Sequence, residues 1–304
     1  MSTSSAVPTV SIGLPVYNGA RYLRQTLDSI VCQTFGDFEL IISDNGSVDG
    51  SGEICREYAY RDSRIRYYCN DENLGASWNY NRVFELARGK YFRWAPADDC
   101  FAPESVQECV AVLDAYPEVV LCYPQTILID SKGSTIRPYA DNLDVRDLSP
   151  VARFRKVRER IGLVNVFYGL VRLDSLKQTA LLGSYPGADI VLALELTLYG
   201  QFHEIPKPLF FRRMHEHASS SIKTVAGAQE FFDPKSRGHL FMRAWMHLSQ
   251  HFASILRAPL SLASKAQLTA FLLRCAISMR HTLMEELAEA MRRPFLNAKR
   301  GHSR

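Results

Sequence analysis

The sequence predicts an α/β fold, a mainly parallel sheet flanked by helices with a helical appendage towards the C-terminus. Two observations carry this. Three apolar runs, SIGLPVYN (11–18), LIISDNGSVDG (40–50) and YFRWAPADD (91–99), each stop at an acidic or aromatic-polar cluster, as parallel strands do when they present ligands at their carboxyl ends. Between these runs apolar residues recur at helical spacing, and strands alternating with helices in this rhythm build a sheet covered on both faces.

The elements follow in order. TVSIGL (9–14) and FELIIS (38–43) are β-rich, and Leu23, Leu27, Ile30 and Val31 lie at helical spacing between them, behind Asn18 as the expected cap. A second helix over 51–60 leads to RIRYY (64–68), a third over 76–87 to KYFRW (90–94), and a fourth over 103–115 to VVLCY (119–123). Beyond residue 130 the rhythm changes. SKGST (131–135) reads as a hairpin turn and 138–150 as a long polar loop, of the kind that is functional or mobile. A charged helix (150–161), an apolar run NVFYGLV (165–171) and a helix over 188–199 come next, and after EIPKPLFFRRMHEHASSS (204–221) the chain turns almost wholly helical. The reading divides it into 1–130, 131–225 and 226–304.

Composition excludes several classes. With 304 residues, 47% hydrophobic and 22% charged, the chain is ordinary globular material rather than disordered. A net charge of +4, with no basic run interleaved with aromatics, argues against a nucleic-acid partner. Seven scattered cysteines without a C-x-x-C pair argue against a disulfide framework or a structural zinc site, and read as reduced thiols of a cytoplasmic protein. MSTSSAVPTV lacks the features of a signal peptide, and the most apolar stretch, 268–283, is interrupted by Arg274 and Arg280, so no transmembrane helix is expected. No G-x-G-x-x-G follows the first strand, which sets aside a nicotinamide oxidoreductase.

Chemistry concentrates at the strand ends. Two adjacent carboxylates in PADD (96–99) suit a hard divalent cation that keeps water and phosphate oxygens as further ligands. One of them capping a turn is the ordinary alternative. Asp44 directly ends a buried strand and needs a partner; Asp49 and Ser51 fit a ligand loop and a helix cap equally well. Tyr17, at the end of the first strand, can stack on a nucleobase or serve as a core tyrosine.

PVYNGARYLRQTLDSIVCQTFGDFELIISDNGSVDGS (15–51), DENLGASWNYN (71–81) and ARGKYFRWAPADDCFAP (87–103) resemble, in order and spacing, the successive blocks of inverting glycosyltransferase family 2, GT-A-fold enzymes that use nucleotide sugars. The resemblance is strong over 9–125 and traceable to about 221. It implies that Tyr17 and Asp44 hold a uracil-type base, with Pro15, Asn18 and Asn73 in the same nucleotide-sugar set. It further implies that Asp98 faces ribose or sugar hydroxyls and that Asp99 ligates manganese or magnesium, although Pro96 stands where the family often has an acid. GADIVLALELTLYGQFHEIPKPLFFRRMHEHASSS (187–221) resembles the acceptor-side block. Asp189 then becomes the general base and His215 a metal ligand or phosphate contact, with Arg212 and Arg213 supplying charge. The implied reaction moves a sugar from a UDP- or dTDP-linked donor to a hydroxyl of a glycan or lipid-linked acceptor, with inversion, in cell-surface polysaccharide or glycolipid synthesis. The alternative, motivated by Pro96, is a catalytically weak nucleotide-sugar-binding protein.

Residues 239–304 carry ten Lys/Arg against three Glu. Phe241, Trp245, Leu248, Phe252, Ile255 and Leu256 recur at helical spacing, the pattern of amphipathic helices with a cationic side. Such helices cover the catalytic domain, join two copies into a homo-oligomer, or lie on the anionic inner face of a membrane. His203, His239, His247 and His251 have no carboxylate at ligand spacing and read as structural or exposed.

Overall fold

The computed structural model describes residues 7–218, 221–236 and 241–301. His239, Ser219 and Ser220 therefore lie outside the described residues. The first half alternates as expected: β1 (Val10–Val16), α1 (Ala20–Val31), β2 (Phe38–Asp44), α2 (Ser51–Arg61), β3 (Ile65–Cys69), α3 (Ala76–Glu85) and β4 (Tyr91–Trp94). β1 pairs in parallel with both β2 and β4, and β2 with β3. Every residue of β1, β2 and β4 is buried, which explains why these strands read as apolar runs rather than as alternating patterns.

The second half is mixed. It contains β5 (Cys100–Phe101), α4 (Ser105–Ala115), β6 (Val119–Ile129), β7 (Thr135–Tyr139), α5 (Pro150–Arg160), a 3₁₀ turn (Asn165–Tyr168), β8 (Leu170–Arg172), α6 (Leu173–Leu176), α7 (Ala188–Leu196) and β9 (Gln201–Arg213). The sheet order is β3-β2-β1-β4-β8-β6-β9-β5, with β7 paired to β6. β8 runs antiparallel to β4 and β6, β5 antiparallel to β9, and β6 parallel to β9. SKGST forms the expected hairpin turn, where the Asp130 carboxylate accepts from the amides of Lys132 and Ser134. The β5–β9 pairing has a functional consequence, because it brings the end of β9, Arg213, against the Asp98–Asp99 corner.

The C-terminal region contains α8 (Val225–Phe232), α9 (Arg243–Arg257), α10 (Leu262–Ser278) and α11 (Arg280–Gly301). α9 packs on α7, and α10 on α5 and α9. Ile255 is fully buried, and Phe241, Leu248 and Phe252 pack against the main core, so this face covers the α/β core. Leu256 points to solvent, and the half-exposed Trp245 donates its indole N–H to the Leu283 carbonyl. A second apolar stripe is left outside: Leu262, Ala266, Ala270, Leu273 and Ile277 along α10 are all exposed. Among the described residues no helix is long and apolar enough to cross a membrane.

Candidate functional site

A cleft of about 540 Å³ opens at the carboxyl ends of β1, β2 and β4. Pro15, Tyr17, Asn18, Asn73, Asp98 and His215 line it, six of the nine residues the sequence pointed to. The floor is set by the β1–α1 turn. Asn18 holds φ at +49°, a left-handed conformation that asparagine tolerates because its side chain bonds locally. Its Oδ1 accepts from the Val48 amide at 2.9 Å and its own amide donates to Ser47 Oγ at 2.9 Å. Asn18 is therefore a strut between two loops, not the cap of α1. The cap comes from across the gap: Gly19 donates to Ser51 Oγ and Ala20 to the Asp49 carboxylate. That settles the open reading of Asp49 and Ser51 in favour of local structure. Tyr17 stands on the rim, 48% exposed.

Asp44 does not line this cleft. It is 1% exposed, its Oδ1 accepts from the Ser47 amide at 2.9 Å and its Oδ2 from the Tyr67 hydroxyl at 2.9 Å. The partner that a buried strand-end carboxylate needs comes from within the protein. The neighbouring Asn45, which the sequence reading passed over, reaches the wall instead. Its Nδ2 donates to Asn73 Oδ1 at 2.8 Å, and its Oδ1 accepts from Asn70 and from the Leu74 amide. Asn79 also lies on the wall. It clamps the ends of β1 and β2 by donating to the carbonyls of Val16 and Ser43, while its buried Oδ1 has no partner among the described residues.

The two acids of PADD part company. Asp98 lines the cleft and its Oδ2 lies 2.9 Å from His215 Nε2. Asp99 is 4% exposed and faces away, its Oδ1 accepting from the Arg213 amide at 2.6 Å. Burial, reinforced by the adjacent Asp98 charge, pushes the Asp99 carboxyl well above the usual carboxylate range. A carboxyl buried away from the cleft and spent on a backbone amide is poorly placed to hold a hard cation, so on geometry Asp98 is the better-placed of the two acids. Arg213 locks this corner by donating to the carbonyls of Asp98 and Asp130 and to Gln25 Oε1. Its guanidinium lies 4.6 Å from the Tyr22 ring centroid, and the His215 ring packs 4.8 Å from the same ring. Among the described residues no group of three or more His, Cys, Asp or Glu is placed to hold a metal. Asp98 and His215 are thus two protein donors that fit a cation completed by water and ligand oxygens.

Asp189 heads α7 and is not on the cleft wall. Gly187 precedes it at φ +83°, where a Cβ would fall 2.6 Å from the His247 ring, so only glycine fits the approach. The Asp189 Oδ1 accepts from the Ile190 amide at 2.9 Å. Burial raises its carboxyl, against the opposing pull of that amide and of the Arg212 and His247 charges. Tyr80 links the two ends of the site: it lines the cleft, and its phenol, raised chiefly by burial, feels the charges of Asp98, Asp99 and Asp189 together. Asn81 tethers the loop before α7 by exchanging hydrogen bonds with the Leu182 backbone. α8 supplies the outer wall through Gly227, Glu230 and Phe231; nothing in its sequence marked it for the site.

Arg212 leaves the cleft side, donating to the Leu163 carbonyl and to Asn165 Oδ1. Asn165 in turn donates to the buried Asp141, whose carboxyl burial pushes up to about 6. A group raised above its unfolded value contributes stability that is present at low pH and lost as pH climbs through the folded value. A displacement of roughly two pH units is worth on the order of 3 kcal/mol. Chemical denaturation from pH 4 to 7 is expected to show the parent losing stability relative to Asp141→Asn; parallel profiles would assign the pH response elsewhere.

The glycosyl transferase family 2 model matches residues 11–169. An uncharacterised glycosyltransferase of Rickettsia felis is 35% identical over 131 residues, 43% of this chain and 21% of the relative. One of Rickettsia typhi is 28% identical over 172 residues, 56% of this chain and 50% of the relative. The chain thus matches half or less of the length of these relatives. Among solved structures, S. aureus TarS 1–349 in complex with UDP-GlcNAc superposes with a TM-score of 0.66 at 16% identity, covering 93% of this chain and 81% of that one. The mannosyltransferase PcManGT from Pyrobaculum calidifontis, in complex with GDP-Man and Mn2+, gives a TM-score of 0.52 at 15% identity, covering 94% and 88%. These likenesses establish a GT-A-type fold.

Proposed function

The chain belongs to glycosyltransferase family 2, and on that premise we propose that it transfers a sugar from a UDP- or dTDP-linked donor to an acceptor hydroxyl with inversion. The observation that carries this is the Asp98–His215 pair at 2.9 Å on the wall of the strand-end cleft. A carboxylate and an imidazole held together at the end of a parallel strand are suited to a manganese or magnesium ion whose remaining ligands are diphosphate oxygens and water. When bound, such an ion stabilises charge developing on the departing diphosphate. Tyr17 on the rim offers a ring face to the base. Asn45, Asn73 and the unpartnered Asn79 Oδ1 supply polar groups for base and ribose. Asp189, beyond Tyr80, removes the proton from the acceptor hydroxyl as it attacks from the face opposite the leaving group.

On this reading residues 1–130 form the nucleotide-sugar half, 131–225 the acceptor half and 226–304 the helical appendage. The acceptor is a glycan or a lipid-linked sugar, and the exposed α10 stripe with Lys265 and Arg274 suits contact with an anionic cytoplasmic membrane face. A second reading, a protein that binds nucleotide sugar without turnover, is favoured by Pro96, which leaves the metal with only two protein donors.

Thermal unfolding with nucleotide sugars tests the proposal, since a ligand that binds only the folded state raises the midpoint. A UDP- or dTDP-sugar is expected to raise it, more so with manganese present. No rise with any nucleoside diphosphate sugar in either condition would overturn the donor assignment; binding without transfer to any acceptor would favour the second reading.

A further inference from the structure

A separate cavity of about 300 Å³ lies among α5, α9, α10 and α11. Its polar lining is Arg158, Arg243, His247, His251, Thr282 and Glu286. His251 is 2% exposed, and neither ring nitrogen has a partner among the described residues. Its ring is wedged edge-on against Phe154 at 5.7 Å. Buried polar groups are almost always hydrogen-bonded, so an imidazole on the wall of a cavity with both nitrogens unpartnered among the described residues marks a place where a ligand completes the bonding.

The charges around the cavity decide what that ligand is. Arg158 spends a guanidinium N–H on the Met279 thioether at 3.8 Å, a weak acceptor, and neither Arg158 nor Arg243 meets a carboxylate among the described residues. Glu286 is the acid on the wall, and it is already engaged: its oxygens accept from the Ala244 and Trp245 amides at the first turn of α9. That helix end carries partial positive charge which offsets the carboxylate. Burial, and then the Arg158 and His247 charges, push the His251 imidazole down to about 3, as expected for electropositive surroundings. A neutral imidazole still offers one N–H.

We propose that this cavity binds a phosphate ester, held by Arg158 and Arg243 with the His251 ring N–H and the Thr282 hydroxyl. Donors converging from α5, α9 and α11 match the spread of oxygens on a tetrahedral phosphate better than a planar carboxylate, and arginine is well suited to phosphate. The Met279 and Leu283 side of the cavity gives room for an esterified group. Ile277, Met284 and Leu287 are exposed at the same α10–α11 corner, so the ester is either a soluble metabolite or a lipid headgroup whose chains rest on that corner. His247 joins the site to the rest of the fold. Its Nε2 lies 2.7 Å from the Pro186 carbonyl, and its ring packs beneath Gly187 at the head of α7. The site stands independently of the glycosyl-transfer reading.

Calorimetry with glycerol 3-phosphate at fixed ionic strength, and flotation with phosphatidic acid or phosphatidylcholine vesicles, test it on the full chain. The variants are Arg158→Gln and the solvent-exposed Arg243→Gln, each checked for cooperative unfolding at the parental temperature. Losing one charge-assisted contact should weaken binding roughly tenfold or more. Glycerol 3-phosphate binding that weakens in this way in both variants supports a soluble ester. Recovery on phosphatidic acid but not phosphatidylcholine vesicles, lost in both variants, supports a lipid headgroup. Equal binding by parent and variants, which would place the phosphate elsewhere, or no binding to either probe, overturns the proposal.

Discussion

Replacing Asp98 by asparagine is expected to remove most of the manganese-dependent part of donor affinity, a loss of roughly 10–100-fold at saturating metal. The amide keeps the shape of the side chain and a contact to His215, but it lacks the charge a hard cation needs. Donor binding without metal should change little, because the Tyr17, Asn45 and Asn73 wall is untouched. Asp99→Asn is the control. Its oxygen still accepts from the Arg213 amide, and the buried side chain it replaces does not line the cleft. Titration of a nucleoside diphosphate with and without manganese separates the two. If Asp99→Asn abolished the metal increment while Asp98→Asn retained it, the assignment read from sequence would be restored against the geometry.

That reversal shows where the sequence stops being informative. Asp98 and Asp99 lie in the bend between β4 and β5, where no strand alternation fixes the side-chain directions, so the motif does not say which acid faces the cleft. The choice is made by β9, which pairs with β5 at Cys100–Phe211 and places the Arg213 amide where Asp99 must meet it. The partners are 114 residues apart. Asn18 failed as a cap for the same reason. Local sequence offered a good N-cap residue, but the amides at the start of α1 are met by Asp49 and Ser51 from the next loop. Tertiary contacts overrode propensity.

What was legible follows equally physical lines. β1, β2, α1, α2 and α4 are long enough for their periods to show, and their observed bounds fall within a few residues of those expected. β5 has two residues and β8 three, too short for any period, so their antiparallel pairings were invisible, unlike the β6–β7 hairpin. Asn45 was visible as a residue but not as a site wall, and Asn79, in the third helix, read equally as facing a donor sugar and as packing or capping. Their roles depend on bonds such as Asn45–Asn73 and Asn79–Ser43, which exist only once three strand ends are side by side.

Asp189→Asn is expected to lower the transfer rate by about 10²–10⁴-fold, with donor affinity nearly unchanged, because a general base acts in the transition state rather than in ground-state binding. The substitution is structurally mild. Asparagine retains an oxygen to accept from the Ile190 amide at the head of α7, and Gly187 and His247 keep the backbone in place. The pH profile adds an independent test. Burial raises the Asp189 carboxyl, and the base works only when ionised, so the parental rate should climb with pH along a limb displaced above the ordinary carboxylate range. That limb should vanish in the variant. Asp189 also has a plain structural use, since an acid in the first turn of a helix interacts favourably with its dipole. If that were its whole role, Asp189→Asn would lower the melting temperature slightly and leave both the rate and its pH limb as in the parent. Measuring rate, donor affinity and pH profile on one purified variant therefore decides between a base and a helix-start acid, whatever the acceptor proves to be.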